Sequence, residues 1–484
     1  MVAISDQGLQ PGDLLPSEAG LAAQYEVGRG VIREALRILQ ASGVVRVPNG
    51  QRAVVRPVTA DLFRVYLHWV VTSGVASARD AFELRRSIER VSGPLAAERI
   101  TADELSELHS IIAGMRECLA DIPRYVDLDF RLHLAVASAS GNSLIKHLIA
   151  SAEPVMKNFM RRDLLSMAGD PVRLEAVQRQ HEETVDAIAR QNAEQARDAM
   201  TGEADEAISR LSAAGVGPGL PAVGHAVRPV APDTPPSWLR DEPATLAGQV
   251  ARELMASIVH SGLAPSALLP PEAELATTYH VSRGVIREAL RVLGALGVAR
   301  TINGRGTVLE PLSPAPLSMF LGWALQMQAI SQVEIHEARV GIEGECAALA
   351  AQRITPDEEL ALRDVIARMK DQFAVPSTHG ALDLELHLAI AAASHNGLLQ
   401  HVVASFHDVI RDLIVGGLDA MRGDLDRLQG NYRGHALVAD AVLSHDAEKS
   451  RRAMEATIKF AIGHLDPMTV YSGHVRGPGQ SHRE

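Results

Sequence analysis

Ile286, Ala289, Leu290 and Leu293 fall at i, i+3, i+4 and i+7, the spacing that lines one face of a helix with apolar side chains. Arg283, Arg287 and Arg291 recur every fourth residue on another side of the same helix. Ser282 stands where an N-cap belongs, its hydroxyl able to accept from a free backbone N–H, and "LATTYHV" before it reads as a short helix ending in a turn. This pattern predicts a helix-turn-helix whose second helix packs its stripe on a small core and holds guanidinium groups outward. Downstream, "GVARTINGRGTVLEP" sets two β-prone runs around Asn303-Gly304, the strongest local signal for a hairpin. A hairpin in this place is a wing, with Arg305 at its tip.

The same pattern occurs earlier as "VGRGVIREALRIL" at 27–39, a constant 254 residues away. That one offset also carries Tyr25 onto Tyr279, Trp69 onto Trp323, Glu89 onto Glu343, Asp129 onto Asp383, His133 onto His387, Asn142 onto Asn396 and His181 onto His435, with no gap. A register that holds over two hundred residues is a tandem duplication. Each copy continues with helical stripes separated by short turns. The predicted order is a winged helix-turn-helix at 1–57, a helical module at 61–213, a Pro/Gly-rich linker at 214–243, a second winged helix-turn-helix at 244–311, a second helical module at 315–467 and a flexible tail at 468–484. The fold class is therefore mainly α, with two small β-hairpins. Thirty linker residues in polyproline form would reach roughly 90 Å at ~3.1 Å each, enough for the second copy to fold back beside the first. The offset sets Met1 on Met255, so "TLAGQVAREL" has no counterpart and the first helix of copy 1 is expected to be truncated, or its start assigned too late.

Composition changes this picture in two ways. Only 4% of residues are aromatic against 46% hydrophobic overall, which favours helix packed on helix over a β-sandwich. The net charge of −12 excludes a surface that coats nucleic acid or anionic lipid throughout, so any DNA contact has to be local. Cys118 and Cys346 form neither a disulfide framework nor a CxxC zinc site, and a reducing compartment fits. With no signal peptide and no apolar run near the ~20 residues of a membrane span, a cytoplasmic protein without membrane partners is expected.

The helical modules carry chemistry of their own. In "DLDFRLHLAVASASGN", Asp129 and His133 are four apart beside a stripe of Leu128, Leu132, Ala135, Val136 and Ala139. Four apart on a helix means side by side, and burying such a pair is costly unless something such as a divalent metal uses it. His181 follows in "QRQHEETVDAI", and Glu203 on the helix beyond; copy 2 repeats Asp383, His387 and His435 but has Thr457 in the Glu203 place. The bland reading of Asp129 and His133 is an ordinary hydrogen-bonded pair.

The stretch "LLPPEAELATTYHVSRGVIREALRVLGALGVARTINGRGT" resembles the winged-helix domain of the GntR family of bacterial transcription regulators, FadR-type branch. The resemblance implies that Ser282, Arg283, Gly284, Arg287 and Arg305 face DNA in copy 2, and Arg29 and Arg33 in copy 1. Independently of it, arginine can bond bidentately to guanine O6 and N7. Two departures concern the heads. Ala19 and Ala273 stand where many members have an arginine, and copy 1 has Gly28 for the cap serine and Arg52 for a wing glycine. The second head is expected to bind DNA better.

The helical modules resemble the FCD ligand-binding domain that follows the winged helix in that branch, through "ELRRSIE" and "EARVGIE", the Asp-x-x-x-His pair leading into "ASGN" or "ASHN", and the later histidine. Members of that kind bind a divalent metal through Asp and three His, and the metal helps hold a small carboxylate effector. Carried over by position, Asp129, His133 and His181 match in copy 1 and Asp383, His387 and His435 in copy 2, and the fourth His is absent from both. Glu203 can complete a zinc, manganese or nickel site in copy 1, whereas Thr457 leaves copy 2 weaker. Arg85 and Arg339 correspond on the early helix and are candidates to pair with the effector carboxylate, a surface salt bridge being the alternative. His147 and His401 also coincide and receive no role.

The function expected is a DNA-binding transcription regulator, not an enzyme. Two heads of one chain form an intramolecular pseudo-dimer on a double-stranded operator, with half-sites one helical turn or a small multiple apart, and two chains pairing as a homodimer is an alternative. The rivals are a metal-dependent hydrolase, since an open Asp/His site can activate water, and a regulator whose copy 1 serves only dimerisation and ligand binding.

Overall fold

The computed structural model describes residues 7–41, 44–48, 51–57, 77–166, 170–213, 246–260, 263, 266–295, 297–310, 313–373, 375–420 and 425–462. The linker expected at 214–243, the tail at 468–484, Trp69 and residues 1–6 lie outside the described residues. The chain forms two compact units, one gathering both heads and the other both helical modules.

In the first unit, head 1 comprises α1 (Glu18–Gln24), α2 (Arg29–Ala41), β1 (Val45–Arg46) and β2 (Val54–Val55). Head 2 comprises α9 (Leu246–His260), α10 (Glu272–Thr278), α11 (Arg283–Ala295), β3 (Ala299–Ile302) and β4 (Gly306–Leu309). The apolar stripe of α11 does what its spacing predicts. Ile286, Ala289, Leu290 and Leu293 are buried with Val250, Leu254 and Ile258 of α9 and with Leu275 and Leu309. The hairpin β3–β4 is antiparallel with Ala299 opposite Leu309 and Ile302 opposite Gly306. Gly304 and Gly306 take φ of +76° and +106°, conformations that L side chains rarely adopt, which is why this wing needs glycine at both places. In head 1 each strand has two residues, and on α2 Val31 is 59% exposed and Ala35 exposed, whereas the matching Ala289 is covered.

After head 2 runs α12 (Ala315–Gln326). The hydrophobic pattern places 315–326 at the start of the second helical module, whereas this helix sits with the heads. Its Trp323 is buried in the core of head 1 with Leu15, Leu21, Ile32, Leu36, Val45 and Val55. Burial of that indole fixes the helix's allegiance, and nothing local to 315–326 encodes where the other wall of its pocket comes from.

The second unit holds two six-helix bundles. Copy 1 supplies α3 (Ala78–Arg99), α4 (Ala102–Glu117), α5 (Ile122–Ala139), α6 (Ser143–Ser166), α7 (Pro171–Ala189) and α8 (Ala193–Ala213). Copy 2 supplies α13 (Gln332–Arg353), α14 (Pro356–Gln372), α15 (Pro376–Ala393), α16 (Gly397–Ala420), α17 (Leu425–Leu443) and α18 (Ala447–Ile462). Helix starts follow local chemistry: Ser77 with Asp80, Thr101 with Glu104, Ser331 with Glu334 and Thr355 with Glu358 all close reciprocal capping boxes. The bundles meet along α3 and α13. Arg99 pairs with Glu337 at 2.5 Å and Arg353 pairs with Glu83, contacts related by the 254-residue offset. Asn142 likewise donates to the Glu334 carbonyl at 2.9 Å and Asn396 to the Asp80 carbonyl at 3.1 Å, so the "ASGN" and "ASHN" turns serve this junction.

Candidate metal centres and nucleic-acid interface

Three helices build the copy 1 centre. Asp129 and His133 lie one turn apart on α5, and His181 reaches in from α7 and Glu203 from α8. Asp129 Oδ1 is 3.1 Å from both His133 Nε2 and His181 Nε2, while Glu203 Oε2 is 3.2 Å and 3.0 Å from the same two atoms. The group is buried, and its ligand atoms all lie within 4.8 Å of one another. Asp129 Oδ1 and His181 Nε2 nevertheless have no hydrogen-bond partner. Buried polar atoms that converge at ion-pair distance without hydrogen-bond geometry are what a shared cation would satisfy, so the residues fit a divalent metal. These are the four residues the sequence offers as candidate ligands, and the fold brings them together.

Electrostatics agree with the geometry. Burial opposes protonation of His181, but Glu203 and Asp129 outweigh it and push its pKa up to about 9. Burial and Arg85 oppose protonation of His133, but Glu89, Glu203 and Asp129 hold its pKa well above the ordinary value. Burial favours the neutral acid at Glu203, yet Arg85, His181 and His133 hold its carboxyl well below the usual range. Without a metal, the carboxylates keep protons on the imidazoles, and a divalent ion would take their place.

Two flanking groups complete the centre. Glu89 of α3 lies 2.8 Å from His133 Nδ1, the carboxylate-to-imidazole contact that fixes the ring so that Nε2 faces inward. The repeat marked Glu89 and Glu343, but no sequence pattern tied them to a histidine on another helix. Arg85 is 5% exposed, not on the surface; it donates to Glu89 at 2.6 Å and to Glu203 at 2.8 Å.

Copy 2 brings together Asp383, His387 and His435, with Asp383 Oδ1 2.7 Å from His435 Nε2 and the facing Nε2 atoms of His387 and His435 3.2 Å apart. Glu343 bonds His387 Nδ1 as Glu89 does His133. Thr457 donates to its own helix at the Ala453 carbonyl, 2.9 Å away, and contributes no ligand atom to the groups found. Sequence reasoning missed three buried histidines here. His407 lies 3.5 Å from Glu343, giving a second, overlapping group of Glu343, His387 and His407. His336 Nδ1 lies 3.1 Å from Arg339, and His379 Nε2 lies 2.7 Å from Asn431. Copy 1 has Glu153, Phe82 and Tyr125 in their places, so the signal lies in positions where the copies differ and a repeat register does not mark it. Arg339 is buried and bonds Glu343 on its own helix.

The head surfaces carry the other expected set. Ser282, Arg283, Gly284, Arg287 and Arg305 are exposed in head 2, as are Arg29 and Arg33 in head 1. Ser282 Oγ accepts from the Val285 N–H at 3.4 Å, a weak cap, and Gly28 offers only its carbonyl, to Val31 at 2.9 Å. Arg287 Nε is held by Glu272 at 2.9 Å and Arg33 Nε by Glu18 at 2.8 Å, and both arginine side chains remain more than half exposed. At the Gly306 place in head 1, Arg52 folds back, Nε donating to the Leu15 carbonyl at 2.6 Å and Nη2 to that of Leu14 at 3.3 Å. Helices α2 and α11 touch, Arg291 lying 3.8 Å from Glu34.

Residues 80–202 and 334–460 match the FCD domain, and residues 2–55 and 246–309 match the bacterial regulatory proteins of the gntR family. The chain belongs to the GntR family of regulators carrying FCD domains, with both domains present twice. Among its relatives, the HTH-type transcriptional regulator LutR of Bacillus subtilis is 29% identical over 198 residues, 41% of this chain and 90% of that protein. The putative L-lactate dehydrogenase operon regulatory protein of Escherichia coli is 31% identical over 223 residues, 45% of this chain and 85% of that one. A solved Streptococcus agalactiae GntR structure is 25% identical, with a TM-score of 0.34, covering 45% of this chain and 99% of its own. The two curated relatives each match less than half of this chain. Family and relatives are transcription regulators, which removes the hydrolase reading. Among the described residues no helix is long and apolar enough to cross a membrane.

Proposed function

We propose that this GntR-family regulator acts as its own dimer, with two heads reading one operator and two FCD bundles sensing a small carboxylate beside a divalent metal. The observation that carries the metal reading is the pair of orphaned, buried atoms, Asp129 Oδ1 and His181 Nε2, facing His133 and Glu203. A bound divalent ion supplies a Lewis-acidic anchor for a carboxylate oxygen. This chain's residues do the rest: Glu89 and Glu343 orient the ligating imidazoles, and Arg85 and Arg339 place a guanidinium beside each centre. Copy 1 offers four ligands and copy 2 three in each of its groups, so copy 1 holds metal more tightly. The name of the Escherichia coli relative, an L-lactate dehydrogenase operon regulator, supports a small hydroxycarboxylate as effector class.

For the heads, the contact between α2 and α11 supports half-sites at one turn or less. Glu34 is five residues from Arg29 and Arg291 eight from Arg283, so at ~1.5 Å per residue the two helix starts lie within roughly 35 Å of each other. The test is a gel shift on DNA flanking the gene, with and without a chelator and with L-lactate among the acids tried. A shift altered by an acid only in the metal-loaded protein is expected; an acid response untouched by the chelator rejects the metal's role.

A further inference from the structure

The α3–α13 junction is built from repeated positions, yet part of it is not symmetric. Where the helices cross, the residue on α13 is Gly341, and a Cβ there would lie 2.6 Å from Val91 Cγ2 and closer still to the Ser87 carbonyl oxygen. The matching residue on α3 is Ser87 itself. One helix carries a side chain at the crossing and the other carries none.

The charges divide in the same way. Arg86 bonds Glu345, a carboxylate with no exposure, and its remaining partner is Asp205 of its own bundle. Glu345 also accepts from Arg451 at 3.2 Å. Moved by the offset, this cross-junction pair becomes Val340 and Val91, with no charge at either place. Arg90 pairs with Glu455 at 3.1 Å, and their mates are Gly344 and Thr201. All the cations of these one-sided contacts are on copy 1 and all the anions on copy 2.

A junction between two identical bundles must be self-complementary, because each residue meets its own partner twice. Copy 1 against copy 1 would bring Ser87 onto Ser87 at a crossing with room for one glycine, and would face Arg86 with Val91 and replace the Glu455 partner of Arg90 with Thr201, leaving it only the more distant acid at the Glu448 place, Glu194. Copy 2 against copy 2 fits at the glycine but sets Glu345 against Val340 and Glu455 against Gly344. Each like pairing removes the cross-junction partner, leaving Arg86 to Asp205 and the buried Glu345 to Arg451 alone, and losing one partner of an ion pair at such a site is unfavourable. We infer that the FCD bundles have become a lock-and-key pair: the copy 1 face accepts the copy 2 face and rejects a second copy of itself, through Ser87/Gly341, Arg86/Glu345 and Arg90/Glu455. Such a face would not exchange partners with regulators built from two identical chains.

This inference rests on the own-dimer reading, and two measurements on the full chain keep them apart. Thermal unfolding reads the selectivity. Arg86→Val and Glu345→Val are each expected to lower Tm by roughly 5 °C, while the double variant, which copies the valine pair at the mate positions, falls by clearly less than the sum. Gly341→Ser should lower Tm strongly and Ser87→Gly should leave it within about 2 °C of the parent. Additive losses for the valine variants, or a Gly341→Ser protein as stable as the parent, overturn the inference. Sedimentation reads the mass: a single chain agrees with the own-dimer reading. A two-chain mass together with coupled valine variants would discard that reading while leaving the selectivity in force between chains.

Discussion

His336 shows how one substitution retunes a duplicated cavity. Its mate is Phe82, so copy 2 has an imidazole where copy 1 has a phenyl ring. Burial, reinforced by Arg339 and His407 against Glu343 and Asp383, lowers its pKa from 6.5 to about 3. An unfolded chain takes up this proton near pH 6.5 and the folded chain only near 3, so the contribution is intact above pH 6.5 and is lost as pH falls toward 3. In chelator, His336→Phe should flatten the decline of the urea midpoint between pH 6.5 and 5; equal slopes for parent and variant would contradict this. On the head surface Arg287 is exposed and its fork is steadied by Glu272. Arg287→Ala should cost about 1–3 kcal/mol of operator affinity and relax the choice of base, with Arg33→Ala costing less, as gel shifts on single-base operator variants would show.

At the scale of elements, the two wings have parted. Head 2 has four-residue strands and an exposed Arg305, whereas Arg52 at the matching turn is engaged with backbone carbonyls. Arg305→Ala should weaken binding evenly across sequences and reduce the slope of log K against log salt by about 1, and Arg52→Ala should leave that slope unchanged. Titrations at several salt concentrations separate the two. What could be read in the sequence follows the range of the interaction. The stripe of Ile286 and Leu290, the turn at Asn303-Gly304 and the capping boxes are encoded within a few residues, and they were legible. Asp129 and His133 were legible because one turn of helix sets them side by side, and His181 because the offset repeated it. Glu89 and His407 were not, since their partners come from other helices and the packing that joins them leaves no period in the chain. Trp323 was visible as a repeated residue, but its pocket is made some 270 to 310 residues earlier.

For the whole molecule, a footprint tests the arrangement of the heads. Contact between α2 and α11 leads to two protected patches with centres within about 10 base pairs and unequal strength, the stronger under head 2. Patches two turns apart, or one alone, would contradict the pairing. The indole of Trp323 carries a different implication. A gene fragment ending at the linker would encode the first reading head without the tryptophan that plugs its interior. Halving this regulator should therefore yield an unstable amino-terminal piece, not a working ancestor, and the fusion is hard to reverse once the first head has come to depend on the second copy for its interior.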